Sequence, residues 1–249
     1  MNINTKNMDF YQILELHPYM DIKEQFEEIK DVINLLHDKR KELYGKIESI
    51  KVCKSSCEEA NLNGIQYKSA YKDIACSMAA VGLLAPFFES LFSRSFEYMR
   101  DQDANSQTSK HNRWICAKEN SWDCHYYFGK SNHPQKNITK GIIQLVEATN
   151  LKDRFPNNLE SILSALFAYR NKMFDGGYEW ELKDREKFWK RVEEKWNVDK
   201  RKWFENATQG DCIWMIYMSD EFINECLECI KKCITEFSSI FDEFKGNRI

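Results

Sequence analysis

The chain has 249 residues, enough for one large or two ordinary domains, and its 43% hydrophobic and 14% aromatic content is that of a packed core, which excludes a disordered chain. Only 9 Gly and 4 Pro stand against 36 Lys+Arg and 39 Asp+Glu, so turns are scarce and charged faces plentiful, which argues for long helices and against an all-β fold. A net charge of −3 and a pI near 6.0 exclude a global attraction to polyanions, so nucleic-acid binding would need a local basic surface.

At the N-terminus, Met1 to Phe10 has no basic stretch followed by an apolar one, and the longest apolar run, Met78 to Phe88, is short of a membrane span. The expectation is a cytoplasmic chain without a membrane segment. Asp21-Ile-Lys-Glu24 resembles a capping box, and after it Phe26, Ile29, Ile33, Leu36, Leu43, Ile47 and Ile50 follow a heptad seam with Arg40 in one turn of it. This helix is expected to run to about Leu62 and to end at Asn63-Gly64. A second helix should return from Ile65 on Tyr71, Ile74, Met78, Val81, Phe88, Leu91 and Phe92, kinked at Pro86. The pair would form a long antiparallel hairpin.

The polar stretch Asp101 to Asn112 reads as a loop and sets the expected boundary between 1–112, the N-terminal helices, and 113–249, a second helical region packed with them. Nothing periodic marks Arg113 to Gln135. Helices are expected again at Ile138 to Thr149, Asn158 to Phe174, Leu182 to Trp196, Asp199 to Asn206 and Asp220 to Phe244, the last on a seam of Ile223, Cys226, Ile230, Cys233, Phe237, Ile240 and Phe244. The fold class is all-α, a multi-helix bundle.

Nine cysteines in a reducing compartment read as buried thiols or metal ligands before disulfides. Cys226, Cys229 and Cys233 fall on core positions, and Cys53 and Cys57 on a packing face. Cys116, Cys124 and His125, with His111 and His133 nearby, could supply four zinc ligands, but no CxxC knuckle accompanies them and no metal is expected. No phosphate loop, dinucleotide fingerprint, HExxH or nucleophile elbow is present, so no cofactor is expected either.

The most informative helix is the one ending at Gly176-Gly177. Projected at 100° per residue, Leu159, Ile162, Leu163, Leu166, Phe167, Met173 and Phe174 form an apolar arc with Arg170 near its centre. A guanidinium there needs a carboxylate such as Glu89, a phosphate or a water-filled cleft beside it. Ser164, Ala168, Asn171 and Asp175 share a different face of small or polar side chains. Downstream, Lys187, Lys190, Arg191, Lys195, Lys200, Arg201 and Lys202 alternate with Phe188, Trp189, Trp196 and Trp203. That pattern could bind single-stranded RNA, although interruption by Glu186, Glu193, Glu194 and Asp199 favours an ordinary charged face over core aromatics.

Arg170-Asn171-Lys172-Met173-Phe174-Asp175 resembles the signature of the HEPN superfamily, in which Arg, a polar residue and a few more residues lead to His. Tyr178-Glu179-Trp180 and the stretch Trp196 to Asp220 also resemble uncharacterised bacterial proteins carrying this domain. The resemblance implies a helical homodimer whose motif helices face each other, and metal-independent RNA cleavage in toxin, antiphage or abortive-infection systems, with a partner protein from the same operon. By resemblance Arg170 would stabilise the scissile phosphate and Asn171 would orient it. Lys172, Tyr178, Arg191 and Lys202 would contact RNA. Position 175 should carry the His that exchanges protons with the 2′-hydroxyl, yet it is Asp175. Three readings follow: an inactive binding member, a variant that has lost its His, or a site where Asp175 is protonated or binds metal. The competing class is a non-catalytic helical interaction module.

Overall fold

The computed structural model describes residues 22–52, 56–102, 111–116, 120–129, 133–197 and 201–246. The fold is mostly helical. Among the described residues there are seven helices and two small antiparallel sheets of two strands each, which the all-α expectation did not include.

Helix α1 spans Ile22–Val52; of the expected seam Phe26, Ile33, Arg40 and Ile47 are buried, whereas Ile29, Leu36 and Leu43 are half-buried. Helix α2 spans Ser56–Gln102 and is 47 residues long. It begins well before Ile65, so Asn63-Gly64 lies inside it and does not end α1. The physical reason is propensity: Glu58, Glu59, Ala60 and Leu62 favour helix, and one interior Gly costs only about 1 kcal/mol against Ala. Helix α2 also continues through Pro86. Within it, Tyr67–Asp101 contains a window of mean hydropathy 1.7, long and apolar enough to cross a bilayer by composition, with half of that window buried inside the protein. The capping box at Asp21 and the side chains of Cys53 and Cys57 lie outside the described residues.

The chain divides into two compact units, each assembled from separated segments. The first comprises Met1–Glu27, Ala85–Ser164 and Glu228–Ile249. Its core is aromatic: Phe92, Phe96, Phe155 and Phe237 have ring centroids 5.0–6.0 Å apart. Here lies the stretch that showed no period. Helix α3 is Asn112–Cys116, followed by strands β1, Tyr126–Phe128, and β2, Pro134–Lys136, paired Tyr126↔Lys136 and Phe128↔Pro134, and then by helix α4, Ile138–Ala148.

Arg113, with no exposed surface, organises this segment. It donates to the carbonyls of Ser121, Asp123 and Tyr126 and to Gln144 Oε1. The Gln144 amide in turn pairs with both the N–H and the carbonyl of Phe128, as a neighbouring strand would. Burial pulls the Arg113 pKa down to about 10, which still leaves it charged at neutral pH. Gly141 is needed at its position, because a Cβ there would sit 2.0 Å from the Cys124 carbonyl oxygen.

The second unit comprises Glu28–Leu84 and Ala165–Leu227. Helix α5, Leu159–Gly176, reaches into it, and helix α6, Leu182–Arg191, ends in a π turn at Val192–Trp196. Of the helix expected at Asp199 to Asn206, the described residues 201–203 are irregular and 204–206 begin a hairpin of β3, Phe204–Gln209, and β4, Cys212–Met218. Gly210, at φ +60, makes the two-residue turn. Strand β4, Cys-Ile-Trp-Met-Ile-Tyr-Met, is rich in β-branched and aromatic residues, and Met215 to Met218 are all buried. A short run buried on both faces shows neither a helical nor an alternating period.

Helix α7, Asp220–Gly246, carries its seam as expected, with Ile223, Cys226, Ile230, Cys233, Phe237 and Ile240 buried. Cys226, Cys229 and Cys233 are core residues.

Candidate functional site

The site that the sequence singles out is the C-terminal half of α5, in the second unit. Leu159, Ile162, Leu163, Leu166, Phe167 and Met173 are buried, together with Ala165 and Tyr169. Phe174 is the exception, at 64% exposed. The buried arc is thus rotated by about 40° from the projected one, toward Ala165 and Tyr169. Arg170 is half-buried, with its guanidinium 5.9 Å from the Phe167 ring.

Tyr169 explains the rotation. It is wholly buried, its hydroxyl donates to the Ile216 carbonyl of β4 at 3.0 Å, and its ring meets Trp180, Phe188 and Phe204 at 5.4–6.1 Å. Burial pushes the phenol well above its ordinary pKa, so it serves as a neutral donor. The end of α5 is equally fixed. Gly177, at φ +67, donates its N–H to the Met173 carbonyl at 3.0 Å, and its own carbonyl accepts the Trp180 indole N–H at 3.0 Å. A Cβ at Gly176 would come 3.0 Å from the Trp180 ring, so the two glycines both stop the helix and admit the indole.

Asn171 and Asp175 are exposed on this fixed helix end. Because α5 stays helical through Gly176, Arg170 and Asp175 diverge by about 140° around its axis. Lys172 lies 2.9 Å from Asp184, whose carboxyl it holds below the usual range. Tyr178 is 42% exposed, just past the helix. Phe174, Tyr178 and Leu182 therefore leave apolar surface around the turn from α5 to α6.

Arg191 and Lys202 lie elsewhere in the unit, beside aromatic rings. The Arg191 guanidinium is 4.5 Å from the Trp196 ring, and partial burial lowers its pKa. Lys202 is exposed, its backbone N–H donating to Glu221 at 3.3 Å, next to Arg201 stacked 5.0 Å from Trp203. Phe188, Trp196 and Trp203 are themselves buried, so they are core and offer no faces for base stacking. Trp189, the fourth aromatic of that stretch, is half-buried.

Sequence reasoning noticed Arg40 but not its partners. Its Nε is 2.7 Å from Asp73 and one terminal nitrogen 2.9 Å from Asp220, with Tyr217 5.3 Å beneath the guanidinium. Tyr44 donates to the other Asp73 oxygen at 2.7 Å, and His37 Nε2 lies 2.6 Å from Asp220. Burial opposes the charge on Arg40, but the two carboxylates more than offset this and raise its pKa above the ordinary value. A buried Arg in a seam signals a hidden carboxylate, but only the fold shows which one. In the first unit Glu89 lies 2.9 Å from His125. The described side chains grouped as metal donors, Asp123, Cys124 and His125, are also in the first unit.

Compared with known proteins, the chain matches no family model, no curated protein and no solved structure.

Proposed function

We propose that the chain is an HEPN-like, RNA-directed protein of a bacterial toxin, antiphage or abortive-infection system, acting as a cytoplasmic homodimer through α5. The observation that carries this reading is half-buried Arg170 followed directly by exposed Asn171 near the glycine-terminated end of α5. A guanidinium with a neighbouring amide is suited to a phosphate. With Asp175 where that family has His, the chain as written binds RNA without cleaving it. A carboxylate repels the phosphate and lacks the near-neutral proton exchange of an imidazole. Lys172, Tyr178, Arg191 and Lys202 are the proposed flanking contacts. We read α1 and α2 as one long antiparallel hairpin in a helical bundle, and the pairs Leu36 with Cys76 and Arg40 with Asp73 support this, one number rising as the other falls. The half-burial of the apolar window in Tyr67–Asp101 supports a cytoplasmic over a membrane setting.

A second reading, a non-catalytic interaction module that dimerises or binds an operon partner, is favoured by one observation. Phe174, Tyr178 and Leu182 are 64%, 42% and 43% exposed around the end of α5, a surface suited to a protein partner.

The test is to incubate the chain and its Asp175→His version with total RNA and with tRNA. Retention of RNA by the unmodified chain, and cleavage to cyclic phosphate ends by Asp175→His, with both lost on Arg170→Ala, are the expected results. Intact, unbound RNA with both proteins, together with a dimer dispersed by Phe174→Asp, would instead establish the interaction module.

A further inference from the structure

In the first unit, the turn Asp123-Cys124-His125 gathers three different metal-binding groups. The carboxylate, thiol and imidazole donor atoms lie within 4.8 Å of one another. The turn is held by Asp123 Oδ1, which accepts the backbone N–H of His125 at 2.9 Å and lies 2.7 Å from its ring Nδ1. From the opposite side Glu89 of α2 holds the other ring nitrogen, Nε2, at 2.9 Å. A carboxylate on one imidazole nitrogen, with the other nitrogen turned toward further donors, is how proteins orient a histidine that ligates metal. Cys124 is wholly buried beside it, its position fixed by the close approach of Gly141 to its carbonyl.

We propose that Asp123, Cys124 and His125 form a site for a zinc-class divalent cation, with Glu89 fixing the imidazole through Nε2 so that Nδ1 is the ligating nitrogen. The donor set decides the class. Thiolate and imidazole together favour zinc and its neighbours, whereas magnesium and calcium favour oxygen ligands. The dimensions fit after a small adjustment. Two ligands of one tetrahedral zinc lie about 3.4–3.6 Å apart, so Asp123 and His125 open from 2.7 Å while the widest pair closes by about 1 Å. The cation takes the place of the proton between Asp123 and Nδ1, so that this proton and the thiol proton of Cys124 both leave to solvent as nitrogen and sulfur coordinate. Asp123 and His125 side chains are 37% and 43% exposed, which gives the ion an entrance and lets water complete its shell. The consequence is a staple, since an ion bound to this turn is tied through His125 and Glu89 to α2. The inference stands apart from the RNA reading, because it uses none of its residues.

The experiment uses the full chain, freed of any tag and stripped by chelator, titrated with cobalt(II) and then zinc. One equivalent of cobalt should bind with a thiolate-to-cobalt charge-transfer band, and zinc should displace it. Cys124→Ser should abolish that band, and His125→Ala should weaken binding at least tenfold. Glu89→Gln, which keeps the side-chain shape, should keep the band and weaken binding about tenfold. Far-UV circular dichroism on each variant shows that it is folded. Absence of cobalt uptake by the unmodified chain overturns the site. So does uptake that survives Cys124→Ser and His125→Ala unchanged, and calcium or magnesium competing as well as zinc overturns the cation class.

Discussion

A guanidinium keeps its charge at neutral pH even where burial lowers its pKa, so each buried Arg commits its neighbours to answering that charge. The two buried examples among the described residues do so differently. Arg40 uses carboxylates, with Asp73 as deeply buried as itself, while Arg113 uses backbone carbonyls and one amide. Removing Asp73 leaves the buried Arg40 with only the part-exposed Asp220 to answer its charge. Asp73→Ala should therefore cost about 3–5 kcal/mol in urea unfolding, whereas Arg40→Met combined with Asp73→Leu should recover most of that loss. Asp220, 39% exposed, retains water as a partner in the double variant. Equal losses in the single and double variants would show that the pair matters only through its shape.

Among the elements, glycine separates what helix propensity sets from what packing sets. Gly45 lies within α1 with open space around a would-be Cβ, so Gly45→Ala should stabilise by about 0.5–1 kcal/mol. Gly141→Ala, in α4, places a Cβ against the Cys124 carbonyl and should lower the melting temperature by many degrees or abolish folding. Thermal melts of both variants check this, and a shift of the same sign in each would refute the distinction. The same contrast governs what the sequence revealed. Helices with sustained 3.6-residue or heptad spacing, α1, α4, α5 and α7, were legible because period and burial coincide there. The segment Ser121 to Phe128 was not, because Arg113 and Gln144 organise it through backbone groups that leave no trace in side-chain pattern. At the candidate site the helix and its glycine stop were legible, but its rotation was not. That rotation depends on Tyr169 reaching Ile216, 47 residues away.

For the whole molecule, the unusual quantity is apolar helix. Tyr67–Asp101 has the hydropathy of a membrane span, yet half of its most apolar window is buried within the protein, and Asp73 near its start is 3% exposed in an ion pair. A bilayer would have to dismantle that pairing. The full chain is therefore expected in the supernatant after high-speed centrifugation of a lysate, and to stay at the bottom of a flotation gradient with anionic vesicles. Flotation with the vesicles would reassign this helix to the membrane. Arg113 has a further consequence, for the chain's history. It takes the carbonyls of Ser121, Asp123 and Tyr126, groups that every amino acid possesses, so these contacts survive replacement of the side chains at those positions. Related chains could diverge widely across this turn while keeping its path, and would be linked through the Arg and the Gln that hold it.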